Sequence, residues 1–94
     1  MQSILISTQA TQDLYEHFFY IQRDNVETAW DFFHSVQQTF IQIARSSALG
    51  DRCSINHPQL KEVYSWSVNG FRQHLVFYQE RQDAIEIIRI LYAA

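Results

Sequence analysis

Residues 61–78, KEVYSWSVNGFRQHLVFY, and residues 84–92, AIEIIRILY, decide the fold. Asn69-Gly70 lies between two alternating runs, and these residue types suit a type I′ turn, which needs positive φ at both central positions. With a two-residue turn there, Val68 faces Phe71, Trp66 faces Gln73 and Tyr64 faces Leu75, with Phe77 continuing that side. That face is largely apolar. The opposite face pairs Ser67 with Arg72, Ser65 with His74, Val63 with Val76 and Lys61 with Tyr78, and reads as open and polar. After a turn around Arg81–Asp83, a third strand, Ile85 to Tyr92, is apolar on both sides apart from Glu86 and Arg89, the pattern of a central strand.

Upstream the period changes. Ser3 to Ser7 is a short β-branched run, and Ser7, Thr8 and Gln9 offer N-caps for a helix whose apolar stripe is Ala10, Leu14, Phe18 and Ile21. That helix ends near Arg23. Asp24 and Glu27 have capping-box spacing, and beyond them Ala29, Phe33, Val36, Phe40 and Ile43 form the stripe of a second, longer helix. Gly50 reads as its left-handed terminator. Asp51 to Gln59, with the only proline, has no periodicity and reads as a surface loop. The expected fold is α+β: one strand, an antiparallel helical hairpin, then a three-stranded antiparallel sheet, with the helices on one face. On this reading Phe71, Leu75 and Phe77 point toward the helices. No repeat or linker divides the chain, so residues 1–94 read as one domain.

Composition narrows the function. A net charge of −3 gives no general basic field, which disfavours direct binding to nucleic acid. Six of the seven cations are Arg, the residue suited to planar and bidentate contacts, and Lys61 is the only lysine. The lone Cys53 excludes an internal disulfide, no Cys/His spacing matches a zinc site, and no metal or other cofactor is expected. The N-terminus lacks the pattern of a signal peptide, and no run of about 18 apolar residues occurs, so a cytoplasmic protein is expected.

Several residues invite a functional reading beside a structural one. Arg72, His74 and Tyr78 fall at alternate positions on the face read as open, where they would bind a phosphate, move a proton or dock a carboxylate, or else be an ordinary solvated strand face. Arg89 interrupts an apolar strand and needs a carboxylate, from within the chain or from a partner. His17, His34 and His57 lie on separate elements and form no ligand set. Tyr15, Phe19, Tyr20, Trp30 and Phe32 lie off the helix stripes and would leave an apolar surface for a partner unless the helices bury them.

The helix pair followed by V-N-G-F-R-x-x-L-V-F-Y at residues 68–78, then A-I-E-I-I-R-I-L-Y at residues 84–92, resembles the RelE/ParE toxin superfamily over nearly the whole chain. The resemblance implies the toxin of a bacterial toxin–antitoxin, or plasmid-stabilisation, system, assembled as a hetero-oligomer with a cognate antitoxin that inhibits it. ParE-like members poison DNA gyrase, whereas RelE-like members are ribosome-dependent mRNA endoribonucleases that use clustered basic residues and often a C-terminal Tyr or His. The acidic balance, and Lys61 as the only lysine before the second hairpin strand, resemble ParE more than RelE, which implies a gyrase inhibitor with no chemistry of its own. The alternative is a metal-independent endoribonuclease with Arg72, His74, Arg89 and Tyr92 as catalytic candidates. A second alternative is a peptide-binding module without toxicity. For binding antitoxin or target, the expected residues are Lys61, Arg72, His74, Tyr78, Arg89 and Tyr92.

Overall fold

The computed structural model describes residues 2–53 and 62–93. Within them the chain runs β1 (Ser3–Ile6), α1 (Thr8–Gln22), α2 (Val26–Ser46), a 3₁₀ turn (Ser47–Leu49), β2 (Asp51–Cys53), β3 (Val63–Val68), β4 (Phe71–Arg81) and β5 (Ala84–Tyr92). The strands form one five-stranded sheet in the order β1-β5-β4-β3-β2, in place of the three-stranded sheet expected. β1 lies parallel to β5, with Ser3 opposite Ala84 and Ile6 opposite Ile87, and the other pairs are antiparallel. The start of the stretch read as a loop, Asp51–Cys53, is the edge strand β2; its remainder lies outside the described residues. β5 has neighbours on both sides, as its two-sided apolar pattern requires.

Local chemistry sets the helix boundaries. Ser7 has an extended backbone and its hydroxyl accepts from the Ala10 N–H at 3.0 Å, closing the first turn of α1. α2 is capped by Asn25, whose Oδ1 accepts from the Thr28 N–H at 3.0 Å, one residue later than the Asp24–Glu27 spacing suggests. Its buried stripe is Ala29, Phe32, Val36, Phe40 and Ile43. Phe32 therefore takes the core position assigned above to Phe33, which is only half-buried. Tyr15, Phe19, Tyr20 and Trp30 do remain largely exposed.

The hairpin register departs from the sequence reading. Among the described residues only Gly70 and Asp83 have positive φ, at 77° and 56°, so Asn69-Gly70 is not a type I′ turn. Asn69 is held from α2 instead: its N–H reaches Thr39 Oγ1 at 3.4 Å and its side-chain amide reaches Gln42 Oε1 at 3.1 Å. Val68 pairs with Phe71, but the next residue, Ser67, pairs with Leu75, so Arg72, Gln73 and His74 bulge out of the ladder. An odd number of inserted residues exchanges the faces of the strand. Trp66 then pairs with Val76 and Tyr64 with Tyr78, and these sit on the helix side, whereas Leu75 and Phe77 alternate with them and point away. Phe71, ahead of the bulge, keeps its expected direction and packs on Phe32, with ring centroids 5.2 Å apart. The helices still close one face of the sheet, because Val76 and Tyr78 replace Leu75 and Phe77 in a core completed by Phe32, Val36, Ile43, Ile85, Ile87 and Ile90.

Gly50, just after the helical segment, is a glycine for a steric reason. Its φ of −67° and ψ of 162° are ordinary extended values, not the left-handed cap expected. A Cβ on Gly50 would lie 1.9 Å from the Tyr78 hydroxyl oxygen and 2.8 Å from Cζ. Tyr78 is fully buried, and its hydroxyl donates to the Ser47 carbonyl at 2.6 Å.

Candidate functional site

β1 stops pairing at Ile87, yet β5 continues to Tyr92, so the last part of its edge has no strand beside it. α1 takes over with side chains. The Ser7 N–H donates to Ile87 O at 3.0 Å and its hydroxyl to Ile88 O at 2.8 Å. Asp13 Oδ2 accepts from the Ile90 N–H at 3.0 Å, and His17 Nε2 lies 2.8 Å from Ile90 O. A carbonyl only accepts, so Nε2 of His17 carries the proton. These contacts satisfy a strand edge that would otherwise invite pairing, and they fix α1 against the C-terminal end of the sheet.

Asp13 also holds Arg89 in a two-pronged pair, from Nε at 2.8 Å and Nη2 at 2.9 Å. Burial alone would raise the Asp13 carboxyl pKa, but the hydrogen bonds from Arg89 and from the Ile90 N–H outweigh it and leave the group below its ordinary value. Arg89 thus has its counter-charge within the chain.

At the same end, the bulge and the last turn of β5 meet. The Tyr92 hydroxyl donates to Gln73 Oε1 at 2.7 Å, and the Ala93 N–H to Gln73 O at 2.6 Å. His74 turns inward and is half-buried among four rings: Phe32 at 4.8 Å, Tyr92 at 4.9 Å, His17 at 5.0 Å and Phe71 at 6.3 Å between centroids. Burial, reinforced by His17, pushes its pKa down to about 4, so the imidazole is neutral at pH 7. The Tyr92–His74 pair separates two hollows. One, of about 350 Å³, is lined by His17, Tyr20, Ile21, His74 and Tyr92. The other, of about 330 Å³, is lined by Gly70, Phe71, Arg72, Gln73 and the same His74 and Tyr92. Arg72 is exposed and forms no ion pair with a described residue.

The residues singled out from sequence are therefore divided. Arg72, His74 and Tyr92 come together. Tyr78 does not join them: it is buried under the helices beside Tyr64, with its phenol pushed up to about 12 by burial, and the shared polar face expected for Arg72, His74 and Tyr78 does not exist. Arg89 is committed to Asp13, and Lys61 lies outside the described residues. Tyr20, read from the sequence as one of the off-stripe aromatics available to a partner, lines the site, and His17 and Gln73 belong to it and were missed. The available signal was the Asp13–His17 step, an i, i+4 polar stripe beside the apolar stripe of α1. Among the described residues no group of three or more His, Cys, Asp or Glu side chains is placed to hold a metal ion, and no helix is long and apolar enough to cross a membrane.

A family model described as the ParE toxin of the type II toxin-antitoxin system, parDE, matches residues 4–94. No curated protein matches the chain. Among solved structures, the fold is similar to a chain of the chromosomal ParDE TA system from P. aeruginosa, with a TM-score of 0.77 at 16% identity, covering 100% of this chain and 98% of that one. It is also similar to the YoeB dimer from Staphylococcus aureus, with a TM-score of 0.59 at 22% identity, covering 99% of this chain and 98% of the other.

Proposed function

The chain belongs to the ParE toxin family of type II toxin–antitoxin systems, and from that premise we propose that it inhibits DNA gyrase by binding, breaks no bonds itself, and is neutralised by a cognate antitoxin. The observation that carries the reading against a nuclease is the state of the basic groups. Cleaving a phosphodiester takes a group that exchanges protons near neutrality and cations aimed at the developing charge. At this end of the sheet Arg72 has no ion pair among the described residues, Arg23 lies over the outer Tyr20 ring at 5.9 Å from its centroid, Arg89 is paired to Asp13, and His74 is held neutral. The gyrase target comes from the resemblance of the β3–β5 sequence to ParE-like chains.

The test has two arms. Induction of the chain in bacteria should stop growth, and co-expression of the product of the small neighbouring reading frame should restore it. Purified chain should block supercoiling by gyrase, while transcript ends in induced cells stay unchanged. Cut transcripts with unimpaired gyrase would replace this reading with the endoribonuclease one. Tight antitoxin binding without any growth defect would replace it with the peptide-binding one.

A further inference from the structure

The two hollows flanking Tyr92 have different chemistry. The first is walled by the Tyr20 and Tyr92 rings, the Ile21 side chain and two imidazoles. The His74 part of its wall is uncharged at pH 7. Tyr20 is 68% exposed and Tyr92 52% exposed, so in the isolated chain both rings present apolar area to water. The second hollow is open to Arg72, whose guanidinium has no counter-charge among the described residues. An apolar slot beside an unanswered planar cation fits a large apolar side chain with a carboxylate close to it along the same chain. A nucleic-acid strand fits less well, since one arginine in a chain of net charge −3 answers few phosphates.

We propose that this double cleft is an anchoring site for the antitoxin, with one of its large apolar side chains seated between Tyr20, Ile21 and Tyr92 and a neighbouring Asp or Glu paired with Arg72. The inference rests on the toxin–antitoxin reading above and adds the chemistry of the contact. Gln73 is a positioning residue in it. Its side chain and its carbonyl both hold the end of β5, so the Tyr92 ring stands as the wall between the hollows.

Binding is measured by calorimetry between the full chain and the full-length product of the neighbouring reading frame. Tyr20 and Arg72 are exposed, so Tyr20→Ala and Arg72→Ala should melt close to the parent. Each should raise Kd by about 10-fold or more, the behaviour of an interface anchor. Added salt should weaken the parent complex more than the Arg72→Ala complex, since the variant lacks the charge pair that salt screens. Gln73→Ala and Tyr92→Phe each remove the hydrogen bond between the Tyr92 hydroxyl and Gln73 Oε1 and should weaken binding to a similar extent. A parent that binds while the Tyr20 and Arg72 variants stay within about 2-fold of it overturns the anchoring site and leaves the toxin reading standing. A parent that does not bind the product at all overturns both. Displacement of the antitoxin by a short single-stranded oligonucleotide, with the same dependence on Arg72, would reassign the cleft to nucleic acid.

Discussion

Replacing Asp13 tests the edge arrangement that builds the site. Its side chain is 7% exposed and its carboxylate accepts three hydrogen bonds, two from Arg89 and one from the Ile90 N–H. Asp13→Ala leaves the Ile90 N–H without a partner, which costs about 1–3 kcal/mol for a buried donor. It also releases Arg89, but that side chain is 41% exposed and can hydrate, so the lost pair adds only about 0–1 kcal/mol. The sum, about 1–4 kcal/mol, is a large share of the roughly 5–14 kcal/mol expected of a domain this size. It should lower Tm by about 5–30 °C. Asp13→Asn keeps an acceptor for Ile90 and should fall between the parent and the Ala variant. The pH dependence has a definite sign. The folded carboxyl titrates below its ordinary value of 3.8, so its contribution is complete above the unfolded value and disappears as pH falls through the folded one. Denaturant melts of the three proteins from pH 7 to pH 2.5 should show their curves converging at the acid end. Curves for Asp13→Ala and the parent that coincide within about 0.5 kcal/mol at pH 7 would refute the reasoning, since that is the spread of neutral surface changes.

Two further perturbations separate other features. Gly50→Ala places a methyl on the Tyr78 hydroxyl and should cost about 1–3 kcal/mol as an overpacked core substitution. Tyr78→Phe should recover only part of it, because Cζ is also too close, and a double-mutant cycle on thermal melts would show strong coupling between the two sites. For His74, the unfolded chain takes up a proton from about pH 6.5 downward while the folded chain does not until about pH 4. Stability should therefore fall across that window, by at most about 1.4 kcal/mol per pH unit, and His74→Gln should flatten the slope between pH 7 and 5. An unchanged slope in the variant would place the titrating group elsewhere.

The helix pair, the hairpin and the two-sided burial of β5 were legible because each depends on a local period or a local turn residue. The exchanged faces of β4 were not. Leu75, Val76 and Phe77 are apolar in succession, so alternation alone cannot tell which of them faces the helices, and the three-residue bulge that decides it leaves no Gly or Pro within Arg72–His74. The choice of Phe32 over Phe33 was hidden for the same reason, two adjacent rings on a helix. β1 joining β5 joins residues about 80 apart in the chain, and no local pattern announces a parallel pairing at that separation. In the site, Arg72 and Tyr92 were readable as side chains without an obvious place in the core. His17 and Gln73 were not, because their roles depend on α1 lying along an edge and on the bulge meeting the terminus.

That edge makes stability and recognition inseparable at one residue. His17 donates to the Ile90 carbonyl, completing the pairing of β5, and its ring also lines the apolar hollow and packs edge-on against His74. His17→Phe keeps a ring in the wall but removes the donor, leaving Ile90 O without its bond, at a cost of about 1–3 kcal/mol if water cannot reach it. His17→Gln keeps a donor but removes the ring. If the hollow is an anchoring site and the edge bond a structural one, the two variants should separate the roles: the Phe variant loses Tm and keeps antitoxin affinity once folded, while the Gln variant keeps more of its Tm and loses affinity. Parallel loss of both properties in both variants would mean that the wall of the cleft and the edge of the sheet are one mechanical unit, and that α1 docking alone sets both.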